Sequence, residues 1–184
     1  MHFIINELEG AVMTKTIVEL QDYDPYWNVQ FNDEKNKIKY ALGDKMIGIE
    51  HIGSTSVNGL KAKPIIDILV GVQNLEEITI FAESLKEIEY EYVHKPELKD
   101  RRFFRKGIWG QGTCHLHICE YNSKEWNAKI MFRDYLRMHH KVAEEYALLK
   151  TELAKKYQFD RPTYTQKKEP FIARILEKAK QLKY

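Results

Sequence analysis

At 184 residues and 43% hydrophobic content, the chain is long enough for one substantial core and short for two independent ones. Its 29 Lys and Arg against 27 Asp and Glu leave a formal net charge of +2, which excludes a global field that would gather nucleic acid, so any anion site must be local. A mean hydropathy of -0.53 and the lack of any run near the ~20 apolar residues of a membrane helix exclude a spanning segment.

Met1 to Met13 contains Glu7 and Glu9 and has no basic start, so it reads as an N-terminal extension rather than a signal peptide, and a cytoplasmic location is expected. Residues 14–184 read as a single domain; MTKTIVEL, which begins at Met13, leads into a short strand. Asp24 followed by Pro25 announces a helix that carries Trp27, Phe31, Ile38 and Leu42 on one face and stops at Gly43. Met46 to Ile52 and Ile65 to Val72 are strands joined across the small, polar GSTSVNG. Leu75, Ile78, Leu85 and Ile88 mark a second amphipathic helix. Tyr90 to Val93, Arg102 to Lys106 and Thr113 to Cys119 read as further strands, the last two joined by the hairpin-like GIWGQG. From Lys124 onward the pattern turns helical, through Trp126, Ile130, Leu136, Tyr146, Leu149 and Leu153 to a last helix around Phe171 to Leu176. The expected class is α+β (α/β), a mixed sheet with flanking helices and a helical C-terminal part. Cys114 and Cys119 lie an odd number apart on one predicted strand and face opposite sides, so they are packing residues rather than a bridge or metal pair.

Asp67 stands in KPIIDILVGV between Ile66 and Ile68, where an ionised carboxylate is costly unless it meets a cation, a metal or several donors. An ordinary ion pair or a strand-end carboxylate is the alternative. Gly53, Ser54 and Thr55 form a turn able to hold a phosphate, or simply a turn with cap residues. Joined to Asp67 through the two strands, the turn would place a phosphate cradle beside a carboxylate able to hold Mg²⁺. His115 and His117 point the same way from one strand and could join Asp67 around a metal, with Glu50 or His51 as a further ligand; this set suits a transition metal such as Zn²⁺ better than Mg²⁺. Alternatively one histidine bonds within the core and the other donates to a phosphate or to Asp67. Lys63, Arg102, Arg105, Arg133, Arg137 and Lys168 are candidate phosphate contacts, Arg133 being the choice on its helix.

The run HIGSTSVNGLKAKPIIDILVGV closely resembles the signature of GrpB proteins, members of the nucleotidyltransferase superfamily that also occur fused to dephospho-CoA kinases. The resemblance continues through CHLHIC, WNAKIMFRDYLRMHHKVAEEYALLKTELA and YTQKKEPFI. It implies a nucleotidyltransferase-like mixed sheet, with Gly53 and Ser54 matching the superfamily's Gly-Ser turn and Asp67 its first carboxylate. The superfamily's second carboxylate falls at Leu69, and the region of its third carries His115 and His117. Three functions follow as expectations. The first is nucleotidyl transfer from an NTP to an unknown acceptor: Gly53, Ser54, Thr55, Lys63 and Arg133 bind the nucleotide, Asp67 holds Mg²⁺ or Mn²⁺, and His117 assists metal or proton transfer. The second is an inactive module that binds a nucleotide or CoA-like ligand or assists a protein partner. The third is a histidine-metal phosphohydrolase. The expected partner is a nucleotide or another phosphate-bearing small molecule, with no membrane and no nucleic acid.

Overall fold

Helix α1, Tyr26–Leu42, starts where the Asp24-Pro25 pair places it, with the Tyr26 N–H donating to Asp24 Oδ1 at 2.9 Å. It buries Trp27, Phe31, Ile38 and Leu42 along one stripe and ends at Gly43, whose φ of 51° only glycine adopts readily. The computed structural model describes residues 17–108 and 111–182. The extension over residues 1–13 and the start of the MTKTIVEL strand lie outside them. Residues 17–20 form no strand: Val18 packs with Ala154 and Tyr164 and gives its N–H to Gln158, leaving an isolated bridge between Gln21 and Ala62.

Five strands follow: β1 Met46–Ile52, β2 Ile66–Val72, β3 Tyr90–Val93, β4 Arg102–Ile108 and β5 Gln111–Glu120. They lie side by side in the order β1-β2-β5-β4-β3, with β2 and β5 parallel and every other pair antiparallel. The GIWGQG segment is the β4-β5 connection, its Ile108 paired with Gln111. Because strand side chains alternate, Ile66, Ile68 and Val70 of β2 share one face with Leu116 and Ile118 of β5 and Phe104 of β4. That face is sealed by α1 and by α2, Ile78–Lys86, through Phe81 and Leu85.

The opposite face is covered over only part of its length. Helix α3, Lys124–Met138, begins at Ser123, whose hydroxyl accepts the Trp126 N–H at 3.2 Å, and lays Trp126 against Ile52, Leu69 and Cys119. Gly48 and Gly71 are paired across β1 and β2 beneath it. A Cβ on Gly71 would stand 2.7 Å from Tyr121 Cδ2 and 2.9 Å from Trp126 Cζ3, so bare backbone is what lets these rings lie on the sheet. Helices α4 (His140–Lys156), α5 (Arg161–Gln166) and α6 (Glu169–Gln181) complete this side. Tyr146 of α4 joins Leu136 against Val57 and Leu60, and Ile175 of α6 packs on Tyr135. The architecture is α+β, as expected, and no described helix is long and apolar enough to cross a membrane.

Candidate functional site

Where β1 ends, Gly53 turns the chain with φ 71° and ψ -173°, a combination essentially confined to glycine. A Cβ there would lie 2.9 Å from both Cβ and Cγ of Asp67 and closer still to its Oδ2, so the turn rests directly on the carboxylate. Ser54–Ser56 form a 3-10 turn closed by the Ser56 hydroxyl, which donates to the Gly53 carbonyl at 2.7 Å. Thr55 is 1% exposed, and its hydroxyl is engaged by His51 Nε2 at 3.0 Å and the Ile65 carbonyl. From α4, Lys150 Nζ donates to Ser54 Oγ at 2.9 Å and to the Lys61 carbonyl. At 2% exposure, burial and then the charge of Lys168 pull the Lys150 pKa down to about 7.

The parallel β2-β5 register sets Asp67 opposite His115 and Leu69 opposite His117. His115 Nδ1 meets Asp67 Oδ1 at 3.1 Å, and Arg161 Nη2 of α5 lies 3.4 Å from His115 Nε2. A neutral ring protonated at Nδ1 satisfies both contacts, donating to the carboxylate and presenting its Nε2 lone pair toward Arg161. Burial opposes ionisation of Asp67, but the His115 hydrogen bond and the Lys63 charge outweigh it and hold the carboxyl well below the usual carboxylate range. His117 is held neutral, first by burial and then by the Lys129 charge. Phe103 of β4 covers both histidines, with ring centroids 5.3 Å from His115 and 5.2 Å from His117.

These groups form the floor of a cleft of about 810 Å³ between the uncovered sheet face and the segment from α4 through α5 to the start of α6. Near the turn it is lined by Lys63, Lys150, Arg161 and Lys168, and on the β4 side by Lys95, Arg101 and Arg105. Among the described residues its only carboxylates are Asp67 and Glu169. The buried Tyr164 ring organises two of the cations, with Lys168 Nζ 4.5 Å and Lys63 Nζ 5.7 Å from its centroid. Burial, then Arg161 and Lys168, lower the Lys63 pKa to about 8. Crowding cations in a half-buried cleft is unfavourable in the free protein, and a polyanion would relieve it.

Gly53, Ser54, Thr55, Lys63, Asp67, His115 and His117 are therefore brought to one cleft, although Thr55 spends its hydroxyl internally. Glu50 and Arg133 are not. Glu50 projects toward α3, where Arg133 Nη1 meets its Oε2 at 2.5 Å and also donates to the His51 carbonyl at 3.0 Å. Arg133 Nε is taken by Asp134 at 2.8 Å, so this arginine clamps helix to sheet and is not available to a phosphate. Arg137 likewise holds the Ser56 carbonyl, through Nε at 3.0 Å and Nη2 at 2.8 Å. Arg102 bonds the carbonyls of Lys99 and Arg101, and it is Arg101 that lines the cleft.

With Glu50 engaged, the expected ligand set is not gathered: among the described residues no three His, Cys, Asp or Glu side chains cluster closely enough to hold a metal ion. Leu69, where a second carboxylate would stand, is 0% exposed and packed against Trp126. The chain's own donors do not fit a two-metal centre or a histidine-metal centre. Sequence reasoning passed over Lys150, although a signal was present. It falls on the α4 stripe of Ala143, Tyr146 and Ala154, where a lysine breaks the apolar pattern. Arg161 left no such signal.

The profile of the GrpB protein family matches residues 17–178. The glutamate-rich protein GrpB of Alkalihalophilus pseudofirmus is 37% identical over 168 residues, covering 89% of this chain and 97% of that protein. The UPF0157 protein YqkA of Bacillus subtilis is 37% identical over 92% of this chain, which spans only 49% of that relative's length. A dephospho-CoA kinase of Mycobacterium bovis is 25% identical over 85% of this chain and 44% of its own. Among solved structures, the conserved protein GrpB from Enterococcus faecalis superposes with a TM-score of 0.81 at 37% identity, over 88% of this chain and 96% of that one. A cytoplasmic RNA terminal U-transferase superposes with a TM-score of 0.50 at 13% identity, over 80% of this chain and 44% of that one, a likeness of fold.

Proposed function

This chain belongs to the GrpB family, and from that premise we propose that its cleft binds the phosphate chain of a nucleotide. The observation that carries the reading is the set of four cations, Lys63, Lys150, Arg161 and Lys168, gathered at the Gly53-Ser54 turn around one carboxylate. Charge-assisted hydrogen bonds from such groups are the strong contacts for phosphate oxygens. Phe103 and Val93 supply apolar lining further along the cleft, where a base would rest.

The test is thermal unfolding of the whole protein against ATP, ADP and adenosine, with and without Mg²⁺. ATP and ADP should raise the Tm while adenosine does not; equal shifts with adenosine, or none with any of the three, would sink the reading.

Affinity should also follow the protonation of the two lysines. Lys150, at about 7, and Lys63, at about 8, are charged below those values and neutral above them. ATP binding is therefore expected to weaken steadily as pH rises from about 6 to about 9, the direction opposite to tightening by ionisation of the γ-phosphate. Calorimetric titration at several pH values in buffers of different ionisation enthalpy will show proton uptake on binding; release would contradict the assignment.

A second reading, nucleotidyl transfer, is favoured by the Asp67–His115 pair. With Nδ1 tied to Asp67, His115 Nε2 would serve as base to an acceptor hydroxyl that displaces Arg161 from it. The acceptor oxygen would bond to the α-phosphorus as the bond from that phosphorus to the α–β bridging oxygen breaks and pyrophosphate leaves. Pyrophosphate release that Asp67→Asn abolishes without loss of ATP binding would establish this reading, whereas binding with no release in a broad acceptor panel would leave a binding module.

A further inference from the structure

We propose that Arg101, Lys129 and His117 form a second phosphate-binding subsite, separate from the one at the Ser54 turn. Arg101, immediately before β4, and His117 of β5 line the end of the cleft away from the turn, and Lys129 of α3 stands behind them, bound to the same Glu125 that Arg101 meets. Cations outnumber the carboxylates in contact with them there, Asp67 acting on Lys129 and His117 only through space. Arg101 Nη1 and Lys129 Nζ, the latter at 3.2 Å, both rest on the same oxygen of Glu125, giving one carboxylate for two cations. Hydrogen bonding is also incomplete: Arg101 Nε and His117 Nδ1 are buried with no partner among the described residues. Native structures seldom leave buried polar atoms unpaired, and two in one cluster beside excess positive charge call for an anion. The arginine fork, the ammonium and a neutral ring N–H together suit the several oxygens of a phosphate.

One phosphate group cannot occupy both places. His117 lies two residues beyond His115 on β5, about 7 Å along the strand, with Asp67 on the turn side of that gap. This spacing fits a ribose or a short linker between two phosphates. The second phosphate therefore belongs either to the same ligand, as in a nucleoside bearing phosphates on both its 3′ and 5′ oxygens, or to a phosphorylated second substrate. The inference rests on the proposed nucleotide reading for the turn subsite alone.

Calorimetric titration separates these cases. In protein saturated with ADP, inorganic phosphate should still bind, and Arg101→Met should weaken it at least about tenfold while changing ADP affinity under about twofold. If the two phosphates belong to one ligand, adenosine 3′,5′-bisphosphate should bind at least about tenfold tighter than AMP, an advantage that Arg101→Met removes. Lys129→Gln serves as the second variant should circular dichroism show Arg101→Met unfolded. The subsite is overturned if phosphate binds only in competition with ADP and the bisphosphate gains nothing over AMP. It is equally overturned if the gains survive both substitutions. Should ADP itself fail to bind, the nucleotide reading falls separately. Phosphate titrated into the free protein, with Arg101→Met compared against Lys150→Met, then still decides the second subsite.

Discussion

Gly53→Ala is expected to destabilise the protein by about 3–5 kcal/mol and to abolish ATP-dependent stabilisation. Two costs combine. The backbone at φ 71°, ψ -173° lies in a region that an L side chain reaches only with strain. The new methyl would also overlap the Asp67 carboxylate, which has little freedom to move because its Oδ1 is held by His115 at 3.1 Å. Relief requires either the turn to lift off the sheet or the Asp67–His115 pair to separate, and both deform the cleft. Gly59→Ala is the internal control. Its φ of 77° also lies in the left-handed region that side chains avoid, but nothing lies within 4 Å of the added Cβ, so a loss of only about 1 kcal/mol is expected. Urea denaturation of the three proteins measures both values. Equal losses at the two positions would show that strain alone operates and that the turn does not bear on Asp67.

Lys150→Met should lower ATP affinity about a hundredfold, equivalent to ~2.7 kcal/mol, while leaving the free protein as stable as before or more so at pH 6. The substitution keeps an unbranched apolar stem, gives up the ammonium's position 5.0 Å from the Tyr146 ring centroid, and removes a charge whose burial is unfavourable. The sign follows from linkage. In the folded state Lys150 releases its proton near pH 7, and in the unfolded chain near the usual 10.5, so between these values the unfolded state binds more protons. The wild-type contribution therefore becomes less unfavourable as pH rises through that window, and the advantage of the Met variant should be largest at pH 6 and shrink toward pH 9. Chemical denaturation of both proteins across that range is the measurement. A variant that is less stable at every pH would mean that the bonds to Ser54 and Lys61 outweigh desolvation, making Lys150 a structural clamp rather than a ligand cation.

What the sequence made legible was mostly local. Asp67 stood out because it broke an apolar strand, and Gly53 because a glycine followed by hydroxyl residues stops a strand. The strand limits of β1 and β3 follow directly from composition and turn residues. Contacts between distant segments were not legible. That His115 rather than His117 meets Asp67 depends on the register of β5 inserted between β2 and β4, strands far apart in the chain. The same holds for Glu50 and Arg133, each a plausible ligand-binding residue in isolation, whose mutual pairing follows from how α3 docks on β1. The family resemblance supplied the turn and the first carboxylate. It carried nothing about Lys150, Arg161 or Arg101, which do not belong to the turn-and-carboxylate pattern.

The glycine pair at positions 48 and 71 has a bearing on the cleft that it does not line. Trp126 and Tyr121 settle on the sheet only because those positions carry no side chain. The depth at which α3 seats thus marks where covered sheet ends and open sheet begins. Methyl groups there would raise the helix like a shim, tilting Lys129 and Glu125 away from Arg101 and lengthening the exposed floor. In this protein the dimensions of a binding site are set partly by two side chains that are missing from the far end of the same face.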